Sequence, residues 1–132
     1  MFTNIYILRL INIKYYVGKS KNPQKRFTEH VKGFGSAWTK KYKPIEIEQI
    51  IEHTSPFDED KYVKEYMAKY GIDSVRGGSY VTIELTESQK RFISKEIWGA
   101  TDCCMRCGRD SHFVSKCYAK VDINGNVLGV NS

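Results

Sequence analysis

No apolar run in the chain approaches the roughly 20 residues that cross a bilayer, so no membrane partner is expected. The opening residues, Met1-Phe2-Thr3-Asn4-Ile5, lack a basic stretch followed by a long apolar one, and no secretory signal is expected. The reading is therefore of an intracellular protein, in cytoplasm or nucleus, with reduced cysteines. Repeats and low-complexity segments are missing. Hydrophobic residues at 41% and charged residues at 27% exclude a disordered chain. Acid is scarce at one end. From Met1 to Lys43 there are ten Lys/Arg and one acid, Glu29, a net +9, whereas the rest sets eleven bases against fourteen acids, a net −3. A basic face attracts phosphate backbones, although by itself it is as readily a plain solvated surface. Its meaning depends on the residues inside it.

The 132 residues suit one compact domain plus a small module. Ile5–Ile11 and Tyr15-Tyr16-Val17 are β-rich and joined by Asn12-Ile13-Lys14, which predicts a hairpin. Asn22-Pro23 opens a helix that stops at Gly33, with Phe27, Val31 and Phe34 as its apolar stripe. A short helix is expected around Trp38. The alternation in Pro44–Ile51 predicts a third strand. Ser55-Pro56-Phe57-Asp58 starts a helix running to Tyr70 and ending at Gly71. Residues 75–80 read as a loop. Thr86 and Gln89 cap a helix that ends near Gly99, and Asn124-Gly125 marks a terminal hairpin. The predicted fold class is α+β: a small three-stranded antiparallel sheet packed with helices, plus a C-terminal zinc knuckle and β-hairpin. The expected domains are 1–99 and 100–132.

Tyr6 and Tyr16 fall on paired strands, Gly18 permits close approach after the second, and Arg26 and His30 share one helix face. Two phenols, a guanidinium and an imidazole near a helix N-terminus suit a phosphate. Glu59, Tyr62, Val63, Tyr66 and Tyr70 define a single face of the later helix. A carboxylate heading such a stripe needs a partner, and a metal ion or a lysine would serve. Singly, each residue has a structural reading: the tyrosines as packing, Arg26 as a surface base, Glu59 as a cap or ion pair.

In this order, Ile5-Tyr6, Tyr16-Val17-Gly18, Arg26 and His30 resemble the signature of the GIY-YIG nuclease superfamily. Glu59-x-x-Tyr62-Val63-Lys64-x-Tyr66 resembles its metal-binding helix, and the likeness covers about residues 1 to 80. It implies a phosphodiester hydrolase using Mg²⁺ or Mn²⁺. Glu59 would hold the cation, Tyr6 would be the general base or its relay, and Tyr16 would position water or phosphate. Arg26 would clamp the phosphate, with His30 assisting. Asn4 stands in place of the signature's first glycine, and Ser74 or Asp73 in place of an asparagine common after the metal-binding helix.

Cys104-x2-Cys107-x4-His112-x4-Cys117 has the spacing of a CCHC zinc knuckle. Four protein ligands make such a zinc structural, and its binding would supply the folding energy of a segment too small for its own core. Cys103 is a spare thiol beside the first ligand, and spacing favours Cys104 over it. Knuckles grip single-stranded nucleic acid. Here Arg106, Arg109, Phe113 and Lys116 are candidates for that, while the alternative is a module that braces Trp98 and the terminal hairpin. A GIY-YIG domain followed by a knuckle resembles proteins encoded by large DNA viruses, which implies a virus-infected host cell. The expected partner is nucleic acid, with DNA favoured, and Lys19, Lys25, Lys32, Lys40 and Lys41 are the expected backbone contacts. The expected activity is endonucleolytic; the alternatives are a catalytically inactive nucleic-acid-binding protein and a zinc-dependent scaffold.

Overall fold

The computed structural model describes residues 2–129. Met1 and the last three residues of the expected second module lie outside that range. The chain divides into two compact units, Met1–Leu85 and Thr86–Ser132.

The first unit is built on a four-stranded sheet of order β3-β1-β2-β4. Strand β1 (Thr3–Leu10) and strand β2 (Lys14–Ser20) form the expected hairpin, with Tyr6 opposite Gly18 and Leu8 opposite Tyr16. The turn between them places Asn12 and Ile13 in the left-handed region, with φ of 62° and 57°. Such a φ costs a β-branched residue about 1–2 kcal/mol. β1 is central, and Ile5, Tyr6, Ile7 and Leu8 are all buried. β3 (Pro44–Thr54) pairs antiparallel on the outer side of β1 through a bulged register and runs three residues past Ile51.

The expectation of three antiparallel strands is corrected by β4 (Val75–Gly77), which pairs in parallel with β2 inside the segment read as a loop. Three residues ending at glycine carry no alternation, and a parallel partner more than fifty residues away leaves no local turn to read.

Helices cover both faces of the sheet. α1 (Pro23–Val31) is capped by the Asn22 side chain, and α2 (Ala37–Lys41) by the Ser36 hydroxyl. On their side Tyr6, Leu8, Leu10, Tyr16 and Trp38 form a buried cluster with Phe27 packed against it. Only Phe27 of the expected α1 stripe is packed; Val31 and Phe34 are exposed. On the other side Tyr15 stacks on Tyr70 of α3 (Glu59–Tyr70) with ring centroids 4.2 Å apart. A capping box between Ser55 and Asp58 starts a 3-10 turn that leads into α3, and Gly71 ends the helix with φ 103°.

The second unit opens with α4 (Glu87–Ala100), held by the Thr86–Gln89 capping box. The helix lies in the compact unit that starts at Thr86. Within that unit a Cβ on Gly108 would lie 2.4 Å from the Trp98 ring and 2.7 Å from the Ile123 side chain. Cys104, Cys107 and Cys117 make a second buried cluster, with Ala119 and Leu128 against it. The terminal hairpin reduces to a single bridge, Val121 to Val127. The Asp122 carboxylate takes over its turn by accepting the backbone N–H groups of Asn124 and Asn126 at 2.9 and 2.8 Å. Among the described residues no helix is long and apolar enough to cross a membrane.

Candidate active site

The hairpin sets the two phenols side by side, with ring centroids of Tyr6 and Tyr16 6.3 Å apart. His30 reaches them from the last turn of α1, and its ring lies 4.9 Å from that of Tyr16. The Tyr6 hydroxyl is 3.0 Å from His30 Nε2, and His30 Nδ1 is 2.9 Å from Thr39 Oγ1. Thr39 Oγ1 in turn donates to the Ser36 carbonyl at 3.1 Å. When Thr39 gives its proton to that carbonyl, or to Ser36 Oγ 3.3 Å away, it accepts from Nδ1–H, which leaves the Nε2 lone pair to accept from Tyr6. The chain Tyr6 → His30 → Thr39 → Ser36 satisfies every group in it.

Burial fixes the protonation of this chain. His30 is 1% exposed, and desolvation, reinforced by the Arg26 charge, lowers its pKa to about 4. It is therefore neutral at pH 7. The Tyr6 phenol is pushed far above its ordinary value by desolvation and by Tyr16, with Arg26 opposing. Tyr16 is raised by desolvation and then by Glu59. Both phenols keep their protons at pH 7.

Two glycines make the cluster possible. A Cβ on Gly18 would lie 2.4 Å from the Tyr6 hydroxyl oxygen, and one on Gly35 would lie 1.9 Å from His30 Nδ1. Arg26 sits on α1, ion-paired to Glu29 at 3.0 Å and acting electrostatically on Tyr6 and His30.

Glu59 begins α3 and borders the same place. Its charge is felt by both Tyr6 and Tyr16, and its carboxylate accepts the Lys19 backbone N–H. Burial raises its pKa, and Lys19 counteracts this. The structure therefore brings Tyr6, Tyr16, Arg26, His30 and Glu59 together. The half-buried Glu59 carboxylate acting on both phenols fits a hard divalent cation, which keeps several waters and needs few protein oxygens.

Four contributors were missed in the sequence. Thr39 completes the hydrogen-bond chain, and its only signal was its place beside Trp38. Asp60 accepts both the Ser79 backbone N–H and its hydroxyl at 2.8 Å, which pins the loop after β4 to the start of α3. Gly78 in that loop, with φ 52°, has no room for a Cβ, which would lie 2.0 Å from Asp60 Oδ1 and 3.5 Å from Glu59 Cγ. Arg76 is 1% exposed, with its donors spent on the carbonyls of Ile72, Val75, Thr82 and Ile83. It ties down the far end of the same loop.

Of the expected backbone contacts, Lys19, Lys25, Lys32, Lys40 and Lys41 are all exposed. Lys19 Nζ reaches the Pro56 carbonyl at 3.4 Å, and Lys41 lies over the Tyr42 ring. In the second unit Arg106 donates to Cys117 Sγ, to the Ala119 carbonyl at 2.8 Å and to the Gly129 carbonyl. Arg109 donates to the Val121 carbonyl at 2.9 Å. Both arginines thus spend donors inside the module.

The ligand atoms of Cys104, Cys107, His112 and Cys117 all lie within 4.8 Å of one another. Three thiols and an imidazole converging so closely, without a disulfide, fit a tetrahedral structural zinc. Cys103 stands outside the cluster and meets Thr101 instead.

A small mixed sheet with tyrosines, arginine, histidine and glutamate on this plan, followed by a closed zinc module, defines a nuclease-type catalytic domain joined to a zinc finger. The GIY-YIG catalytic domain model matches residues 2–70, and the model of the GAG-polyprotein viral zinc-finger matches residues 100–132. The chain belongs to the GIY-YIG family. The first match points to a nuclease and the second to nucleic-acid binding. No curated protein and no solved structure matches the chain.

Proposed function

We propose that the protein is an endonuclease that hydrolyses phosphodiester bonds in DNA, with Mg²⁺ or Mn²⁺ at Glu59. The observation that carries this reading is the Tyr6–His30 hydrogen bond of 3.0 Å beside a carboxylate that acts on both site phenols.

The Tyr6 oxygen accepts a proton from the attacking water while its own proton passes to the His30 Nε2 lone pair, so no free phenolate is needed. A bound phosphodiester adds negative charge that opposes the depression of the imidazole by Arg26. Arg26 clamps the phosphate oxygens, and Tyr16 orients the water or phosphate. Water oxygen bonds to phosphorus, the bond to the 3′ oxygen breaks, and that oxygen takes a proton from solvent. The products carry 5′-phosphate and 3′-hydroxyl ends. The divalent cation, when bound, neutralises charge on the phosphate and supports the departing oxygen. Lys19, Lys25, Lys32, Lys40 and Lys41 hold the flanking backbone.

In this reading the nuclease role belongs to the first unit, and the zinc module adds nucleic-acid affinity through Phe113 and Lys116 and through the remaining donors of Arg106 and Arg109. The viral type of the zinc finger supports a virus-infected host cell as the setting. The test is incubation of plasmid and branched DNA with the purified chain, with and without Mg²⁺. Arg26→Ala and Glu59→Ala should each abolish cutting while leaving the fold intact. Salt-sensitive binding with no product under any divalent metal would replace this reading with that of a non-cutting binder.

A further inference from the structure

Two phenylalanines at the borders of the site are bare. Phe34 is 73% exposed and Phe57 is 91% exposed. Of the other phenylalanines of the first unit, Phe27 packs on the buried cluster, and Phe2, 66% exposed, lies edge-on to His53. Phe34 directly precedes Gly35, whose missing side chain admits His30, while Phe57 stands two residues before Glu59.

Neither ring is exposed because its backbone is loose. The Phe34 N–H donates to the Glu29 carbonyl at 2.9 Å, and Gly33 before it has φ 87°. This is the helix ending in which the following apolar residue ordinarily folds back onto the last turn. The position it would cover is Glu29, which is committed to Arg26, so the ring stays in solvent. The Phe57 N–H donates to Ser55 Oγ at 3.2 Å within the capping box. Both rings are therefore presented to solvent from hydrogen-bonded backbone, and an aromatic side chain has only two torsions to fix on binding. A lysine stands near each: exposed Lys32 lies two residues before Phe34, and Lys19 Nζ reaches the carbonyl of Pro56, next to Phe57, whose following residues are the acids Asp58, Glu59 and Asp60.

A phosphate-binding centre with an aromatic face and a lysine on either side fits nucleotides whose bases are unstacked. A paired duplex keeps its base faces covered and offers these rings nothing to stack on, whereas single-stranded or splayed nucleotides do. We propose that Phe34 and Phe57 are stacking platforms and that the preferred substrate is nucleic acid unpaired next to the scissile phosphate. The proposal rests on the reading of this site as the cutting centre, but the platforms act through binding alone.

The test uses the full zinc-loaded chain as Glu59→Gln, so that no substrate is consumed. Fluorescence anisotropy at fixed salt compares a labelled oligothymidine with a blunt-ended, fully paired duplex of equal length. Phe34→Ala and Phe57→Ala should each weaken oligothymidine binding about tenfold while changing duplex binding less than twofold. Phe57→Trp should retain the affinity for oligothymidine. Equal losses on both ligands, or no loss on either, would overturn the proposal. If the otherwise unaltered chain cuts neither ligand while the selective binding losses are observed, the hydrolytic reading fails and the platforms stand. If it cuts DNA but the alanine variants bind as before, the platforms fail and the nuclease reading stands.

Discussion

Acidification from pH 7 to pH 4 should destabilise the first unit through His30. The imidazole is buried between the Tyr6 hydroxyl and Thr39 Oγ1. Its pKa falls from 6.5 to about 4 on folding, first through desolvation and then through Arg26. Between those values the unfolded chain binds a proton that the folded chain refuses, so stability is lost as pH falls. At about 1.4 kcal/mol per pH unit, the depression amounts to about 3 kcal/mol across the window from 6.5 to 4. That is a large share of the roughly 5–15 kcal/mol that holds a domain together. Glu59, raised by burial, works in the opposite direction, because a folded carboxyl that gains protons is stabilised by acid. Its contribution cancels when the unaltered His30 chain is compared with His30→Gln. The assay is urea unfolding followed by Trp38 fluorescence in a Trp98→Phe background, at several pH values. Trp38 is 2% exposed and donates to the Tyr15 carbonyl at 2.9 Å, so it reports on this core. The His30 chain should lose stability relative to His30→Gln by about 3 kcal/mol from pH 7 to pH 4. Parallel curves for the two proteins would refute the buried neutral imidazole.

Gly18→Ala should push the Tyr6 phenol aside, because its Cβ would lie 2.4 Å from the hydroxyl oxygen. Chemical unfolding should show a loss of about 1–3 kcal/mol, and any cleavage should fall at least a hundredfold. Chelation of zinc should melt the second unit, read by Trp98 fluorescence, and leave the Trp38 signal of the first unit intact. Ile13→Gly should stabilise the first unit by about 0.5–1 kcal/mol, since φ 57° strains isoleucine and the side chain is 74% exposed. A loss of stability there would show that the turn needs the isoleucine for some other reason.

What could be read from the sequence was local. The hairpin, the Asn22-Pro23 start, both capping boxes, the Gly71 stop and the cysteine spacing depend on residues a few positions apart, and each appears as expected. The gathering of Tyr6, Tyr16 and Arg26 with Glu59 was legible because each side chain has a fixed place on its element. What escaped is long-range. β4 pairs with a strand more than fifty residues away, and nothing in Val75-Arg76-Gly77 announces a partner. His30 reads from its spacing as a neighbour of Arg26 on one helix face; that Gly35 and Thr39 bury it is set by the folded loop between α1 and α2. The closing of Ser79 on Asp60 joins residues nineteen positions apart. Phe34 satisfied helical periodicity as a core residue, but α1 ends before reaching it.

The central claim is that Glu59 holds a divalent cation within reach of Tyr6 and Tyr16. The most direct measurement is ¹⁹F NMR of the 3-fluorotyrosine-labelled chain titrated with Mn²⁺, the two signals being assigned with Tyr6→Phe and Tyr16→Phe. Sub-stoichiometric Mn²⁺ should broaden both signals in the chain with Glu59 and neither in Glu59→Ala. Sharp Tyr6 and Tyr16 signals in the presence of Mn²⁺, or broadening that persists without Glu59, would contradict the claim.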